Sequence, residues 1–501
     1  MQGVPLMTGS SDAANDDGLL TEVIEKSSIG IVAFVAERVL LAGFAYVVTT
    51  GLGAAAYGFL SVFVRGETIS RNLVAGLGDG YSRTLPRAST SAQQTLLTVG
   101  TGGFVVVWVI VAILLVAFRG EILRATLLRP RHELVIILFA LGLLPFLLLR
   151  NFRDVFRALR LIKLAVLVSR VFKPLALLVG AVVVVLLVKG ESLLILWVSV
   201  AVGAVILTIS SLSLLLSYTK LTFGAIRSNR PAVLDFLEYT ADTTGVAILE
   251  LVQRRAVFIV MVVYLSPIAA GAFSLSVVVA RVVRWPLSGV NGILPPIAAR
   301  LYDDGQKETL QCLYQQTSRL ATVATTPVLI IGSAYAPDIL AIFNEAYIDQ
   351  AIVLRTVLIA QYIATVFGSV GLLLLMTDNE RASLVTQIFN ASVALPLIVF
   401  LTIRIGPFGL GIGYLLSLVI NNITELCVLY IRDGFTPFSS EQAYTVLLIP
   451  LGTVLLVVLK NTFGMPVSLL MAVLGLGLYT WLGQRFLLRR TDRVAIQAWL
   501  S

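Results

Sequence analysis

A dozen ionisable side chains stand inside stretches otherwise built of Val, Leu, Ile, Ala and Gly. Glu37 and Arg38 fall in the first such stretch and Arg65, Glu67 and Arg71 in the second. Glu238, Asp242, Glu250, Arg254 and Arg255 fall in the seventh, and Arg281 and Arg284 in the eighth. The third, fifth and sixth stretches carry almost none. An ionisable group at membrane depth costs several kcal/mol unless it faces protein interior or water, so such groups mark a pathway by default. The asymmetry predicts a hydrophilic cavity lined by spans 1, 2, 7 and 8. Spacing adds chemistry. Glu67 with Arg71, and Glu250 with Arg254, are i,i+4 pairs with the acid N-terminal, the better order for a helical ion pair. Arg281 and Arg284 share one helix face, and guanidinium forks bind phosphate oxygens in bidentate fashion. The candidate substrate-binding residues are therefore Glu37, Arg38, Arg65, Glu67, Arg71, Glu250, Arg254, Arg281 and Arg284. The structural alternative for the i,i+4 pairs is self-neutralisation in a helical core. Gly53, Gly58, Gly66, Gly76, Gly78 and Gly80 predict close backbone approach around spans 1 and 2, and Pro286, Pro295 and Pro296 predict kinks in span 8.

The elements that must position these groups follow from composition. Of 501 residues 58% are hydrophobic and only 13% charged, with a mean hydropathy of +0.94. Soluble domains are nearer half apolar and a quarter charged. Roughly 20 apolar residues cross a hydrocarbon core as a helix, and several runs approach or exceed that length. The fold class is therefore all-α and polytopic, with about fourteen membrane helices. They are expected near 28–50, 57–78, 93–117, 132–149, 172–188, 193–217, 236–265, 268–298, 309–334, 347–376, 380–403, 408–431, 442–460 and 465–488. Residues 1–27 read as a polar cytoplasmic tail, 28–217 as a first lobe and 218–235 as a connector. Residues 236–431 read as a second lobe, and 432–501 as two added helices with a basic tail. Loops on the terminal side hold most of the Arg and Lys, which predicts both termini in the cytoplasm and a multi-pass protein of the cell membrane. Arg119, Arg124, Arg129 and Arg131 are the exception, on the opposite side. The run from Arg150 to Lys163 reads as an interfacial helix on anionic lipid.

The net charge of +9 is scattered over short loops, so no folded basic domain exists to hold a nucleic acid. Two cysteines, Cys312 and Cys427, imply no disulfide framework. The lone histidine, His132, argues against a histidine metal site or base. There is no phosphate loop, no metal-ligand spacing and no Asp-rich cation motif, so the reading is a transporter without a cofactor rather than an enzyme.

A repeat runs at an offset of 213 residues. It sets Glu37 on Glu250, Gly58 on Gly271, Ser61 on Ser274, Arg71 on Arg284 and Arg87 on Arg300. An even number of spans separates the copies, so spans 1–6 and 7–12 are expected to share one orientation, with a site between the halves.

The segment PPIAARLYDDGQKETLQCLYQQTSRLATVATTPVLIIGSAYAPDILAIFNEAYIDQA (295–351) resembles flippases of polysaccharide biosynthesis of the Wzx type. GLGAAAYGFLSV (51–62) is similar to that family's first turn, as is the Gly271 region. The resemblance implies the multidrug/oligosaccharidyl-lipid/polysaccharide exporter superfamily. It also implies an alternating V-shaped transporter that turns a polyprenyl- or dolichyl-phosphate-linked oligosaccharide from the cytoplasmic to the outer leaflet. Implied partners are the lipid-linked glycan, membrane lipids, and functionally coupled glycosyltransferases and an oligosaccharyltransferase. Arginine in excess of lysine and an acidic tail depart from bacterial members and fit a haloarchaeal source, which implies a dolichyl carrier and S-layer protein N-glycosylation. Two alternatives stand beside this reading. One is a cation-coupled multidrug exporter of the same superfamily, with Asp242 or Glu37 as the titrating carboxylate. The other is a membrane glycan polymerase or ligase, disfavoured by outer loops of only about a dozen residues.

Overall fold

The computed structural model describes residues 35–187, 193–219, 222–224, 229–377 and 380–487, and within them the chain is nearly all helix with no strand. The expected tail 1–27, most of the C-terminal tail and part of the 218–235 connector lie outside the described residues. So do the side chains of Asp242, Glu250 and Arg254.

Helix α1 (35–51) turns at Gly53, whose φ of 94° is open to glycine but strained for other residues. It is followed by α2 (Ala54–Leu73) and α3 (Ala75–Thr84) as one long rod. Next come α4 (Thr90–Ala117), the short α5 (Arg119–Ala125), α6 (Glu133–Ala158), α7 (Ile162–Leu167), α8 (Lys173–Leu187) and α9 (Leu193–Thr219). The second half contains α10 (Arg230–Tyr264), α11 (Pro267–Ala280), α12 (Trp285–Asp303), α13 (Lys307–Ala334), α14 (Ala336–Phe343), α15 (Ala351–Val366) and α16 (Val370–Met376). The 54-residue α17 (Glu380–Asp433) is two helices broken at Ile405 and Gly406, before Pro407. Helices α18 (Ser440–Phe463) and α19 (Met465–Leu482) end the described chain.

Taken with their breaks, these helices form about fourteen rods among the described residues, matching the expected number. Nine helices are long and apolar enough to span a membrane, or ten with α13 and α14 taken as one span bent by 71°. One of the nine, Ala382–Asp433, holds both rods of α17. Three rods fail that test. The described part of α1 is short, and α2–α3 and α10 carry the charges that singled them out in the sequence.

Ladders of Leu, Val and Phe pack α4, α6, α8 and α9 into one bundle with α2, and α12, α13, α15, α16, α17 and α18 into another. Trp197 is the pin of the first bundle. Its buried ring meets Phe63, Phe139 and Phe146, and its Nε1 donates to the Leu138 carbonyl at 3.2 Å. Helix α10 crosses between the bundles, packing on α3 at one end and on α17.

Below, the face at which residue 35 lies is the near face, and that of Gly53 the far face. Both are closed by helix contact. At the far face α2 packs on α11, Asn344 Nδ2 donates to Thr49 O at 2.9 Å, and Tyr347 Oη donates to Ala54 O at 2.7 Å. At the near face α3 packs on α10, where Arg83 lies 3.7 Å from Asp235 and 4.4 Å over the Tyr239 ring.

The structure changes two expectations. Span 5 begins not at 172 but at Ile162, through α7 and a π-helical turn at Val168–Phe172, so Lys173 stands inside the rod. The segment 150–163 is not an interfacial helix. Helix α6 runs unbroken past Pro145 to Ala158, so Arg150 and Arg153 sit on its last turns and fold back onto the buried Asp154.

Candidate functional site

Four arginines from four elements meet at one depth. Along the helix axes Arg65 is eleven residues from Ala54, Arg38 thirteen from residue 51, Arg255 nine from Tyr264, and Arg281 fourteen from Pro267. At 1.5 Å per residue these are about 14–21 Å from the far face, mid-membrane for a core roughly 30 Å thick. Each reaches this layer because α1, α2, α10 and α11 alternate direction and turn their polar residues inward. The guanidinium of Arg65 lies 3.9 Å over the Phe258 ring and within electrostatic range of Arg281, Arg255, Tyr57 and Tyr414. Arg38 feels Arg281, Glu37 and Arg170. Neither Arg65 nor Arg281 has a carboxylate in ion-pair range among the described residues. The Phe258 ring offers Arg65 its π-face, worth on the order of 1–2 kcal/mol when desolvated, which does not neutralise the charge.

The other predicted residues divide differently. Glu37 is ion-paired with Arg170 at 2.7 Å at the edge of the layer. Glu67 and Arg71 pair with each other, and Glu67 is also bound by Lys173. Two residues on an α-helix differ by about 200°, so Glu67 faces away from Arg65 into the first bundle, and Arg71 follows it. These two lie outside the central layer. Arg284 stands at the end of a 3₁₀ turn (Arg281–Arg284), one step nearer the near face. Glu250 and Arg254 lie on the α10 backbone at the level of the layer, and their side chains are outside the described set.

Sequence reasoning passed over several groups. Arg255 joins the layer, but in sequence it is one more charge in a crowded span. Lys173, Arg170 and Asp154 read as loop or interface residues, because each borders an apolar run. In the second bundle Arg319 and Glu425 are buried, 2% and 8% exposed, with Glu425 close to Tyr314 and Gly371. Their signal was available: both are lone charges in apolar helices. His132 has a structural place, its Nδ1 accepting from Arg129 N at 3.0 Å and its ring 4.5 Å from Phe59. Cys312 and Cys427 are free thiols.

No protein-family model and no curated protein matches the sequence. Solved structures do match the fold. The lipid II flippase MurJ in an inward-closed conformation aligns at a TM-score of 0.70 with 10% identity, over 91% of this chain and 99% of that one. An inward-facing multidrug resistance MATE transporter of the MOP superfamily aligns at 0.63 with 13% identity, over 80% and 94%. A MOP-superfamily transporter from Pyrococcus furiosus aligns at 0.55 with 14% identity, over 82% and 95%. The chain has the polytopic all-helical fold seen in these MurJ and MATE structures.

Proposed function

We propose that this chain is a flippase for an anionic, phosphate-bearing lipid, and that the arginine layer holds the phosphate while the polar headgroup crosses. The observation that carries the reading is the pair Arg65 and Arg281, which have no carboxylate in ion-pair range among the described residues at mid-membrane depth. Uncompensated guanidinium there is costly unless the transported group brings negative charge, and its fork fits phosphate oxygens. The finer reading follows from the sequence resemblance. The substrate is a polyprenyl- or dolichyl-phosphate-linked oligosaccharide moved from the cytoplasmic to the outer leaflet, upstream of glycoprotein or surface-polysaccharide assembly. It would be made by coupled glycosyltransferases and used by an oligosaccharyltransferase. The likeness to a lipid II flippase supports a lipid-linked cargo. A hydrated path past this layer would spare each sugar hydroxyl an unpaired passage through hydrocarbon, several kcal/mol per group.

A second reading, a multidrug exporter, is favoured by the likeness to MATE structures and by Glu37, a carboxylate beside the layer. Among the described side chains a cationic drug would meet at least three guanidinium groups for that one paired carboxylate, which argues against it.

The test uses the full chain in proteoliposomes with a polyprenyl-phosphate-linked glycan, its sidedness read by a membrane-impermeant sugar oxidant. Flipping is expected from the wild type, and Arg65→Gln with Arg281→Gln should slow it at least about tenfold, the loss of charge-assisted bonds. An unchanged rate in the folded double variant removes the phosphate clamp. Gradient-driven efflux of a cationic dye, with no flipping, would put the exporter first.

A further inference from the structure

A second concentration of positive charge lies inside the first bundle, apart from the arginine layer. Arg71 of α2, Arg150 and Arg153 of α6, Lys173 of α8 and Ser169 line one narrow recess, open at its mouth. Its charge does not balance. Glu67 is shared by Arg71 and Lys173, and Asp154 by Arg150 and Arg153. Among the described residues the other hydrogen-bond partner on these four cations is Asn72 Oδ1, 3.4 Å from Arg150 Nη1, and Lys173 also lies within electrostatic range of Glu37. With the neighbouring Glu37–Arg170 pair neutral in itself, four cations on two carboxylates leave an excess of two positive charges around the recess. Both carboxylates are sealed behind it, at 2% and 1% side-chain exposure, whereas the cations keep 12–24%. An anion entering the mouth therefore meets the cations first.

Position and backbone support a ligand. Arg71 and Arg150 are each seventeen residues from the far-face end of their rods and Arg153 is twenty. That is about 26–30 Å along the axes, the headgroup level of the near leaflet, with Lys173, fourteen residues from Leu187, about 21 Å along α8, reaching it from below. Ser169 is presented by the π-helical turn Val168–Phe172, a backbone insertion often found at functional sites.

The geometry points to this recess as a binding site for a phosphate monoester dianion, held by the guanidinium groups of Arg71, Arg150 and Arg153, by Lys173 and by the Ser169 hydroxyl. The forks supply paired N–H donors and lysine a compact charge, while the Ser169 hydroxyl, which donates to Val166 O at 3.2 Å, would turn from that carbonyl to the anion. Two sources present that chemistry, free phosphate and a phosphorylated lipid headgroup such as that of phosphatidic acid. This site is independent of what crosses the central layer.

Calorimetric titration of the purified full chain in detergent with inorganic phosphate, at constant ionic strength, tests the site. Saturable binding is expected. Arg150→Gln with Arg153→Gln should weaken it about tenfold or more. Because that variant strands Asp154, Ser169→Phe is the second probe: it fills the recess, removes no ion pair, and should also abolish binding while the unfolding midpoint without phosphate stays near wild type. Arg65→Gln with Arg281→Gln should keep the affinity. In nanodiscs, phosphatidic acid that displaces inorganic phosphate, where phosphatidylcholine does not, identifies the lipid headgroup as occupant; undisturbed phosphate binding identifies the free ion. The proposal is overturned if neither phosphate nor phosphatidic acid binds the wild type. It is equally overturned if binding survives Ser169→Phe and is lost in the Arg65/Arg281 variant.

Discussion

Closure of the far face depends on one glycine more than on any polar contact, and Gly58→Ala tests this. A Cβ built on Gly58 would lie 1.8 Å from the Pro267 carbonyl oxygen and 2.6 Å from its carbon. Carbon–oxygen contact requires roughly 3.3 Å, so α2 and α11 must separate by about 1.5 Å. The obstacle is backbone on a helix that begins with proline, so no rotamer change relieves it. Overpacking of this size costs about 1–3 kcal/mol, and the cost falls only on the closed state. A far-open conformation would then gain about 5- to 150-fold in population. Spin labels at Thr50→Cys and Asp349→Cys, exposed positions flanking the contact, report the gap by pulsed dipolar spectroscopy. Cys312 and Cys427 are exposed and must be replaced first. The expected result is a new, longer distance component in Gly58→Ala. Gly271→Ala should do less, because its nearest obstacle, at 2.5 Å, is the movable Tyr347 hydroxyl. An unchanged distance distribution in folded Gly58→Ala would refute the argument.

The near face has its own glycine contact: a Cβ at Gly76 would meet Thr244 Oγ1 at 2.2 Å and Thr240 O at 2.6 Å. Gly76→Val should therefore increase thiol labelling at the near face and leave the far-face spin distance alone. Asn344→Ala loses the hydrogen bond to Thr49 across the far face, about 0.5–1.5 kcal/mol, together with the local cap on Ala346 N, and should open that face less than Gly58→Ala in the same spin assay. Tyr81 is fully buried and donates to Asn151 Oδ1 at 3.0 Å. Tyr81→Phe should lower unfolding free energy in mixed micelles by about 1–2 kcal/mol without changing either gate.

Much of this arrangement was legible in the residues, and the illegible part has a definite cause. The class and most of the spans follow from apolar length, since hydrocarbon permits no other backbone in such runs, whereas α1, α2–α3 and α10 fall short of that test and are marked by the turns that flank them. The repeat pointed to Gly58 and Gly271, and the structure sets them against one another: a Cβ on Gly271 would lie 3.2 Å from Gly58 N. Arg38, Arg65 and Arg281 were found as charges inside spans, and they meet. The same rule placed Glu67 and Arg71 beside them, because it counts charges per helix and ignores helical phase. A 200° step separates Arg65 from Glu67, and that step decides between the arginine layer and the bundle interior. Lys173 was missed for the complementary reason. It stands before Pro174 at the start of an apolar run and reads as an interface residue, until α7 and the π turn extend the rod by eleven residues beyond it.

The two cationic clusters differ in a way that assigns them different work. In the arginine layer the charges come from α1, α2, α10 and α11, elements of both halves of the chain, so its geometry changes whenever α2 moves on α11 or α3 on α10. In the recess all four cations belong to α2, α6 and α8 of one bundle, where shared carboxylates and close packing fix their spacing. A ligand in the first cluster gains or loses contacts as the faces open and close, and only such differential contact can couple binding to a conformational change. A ligand in the second is held equally in any state that moves the bundle as a body, so it can stabilise the bundle without driving the cycle. On that argument substitutions at Arg65 or Arg281 alter the balance between the closed and open faces when substrate is present. Ser169→Phe leaves that balance where it was.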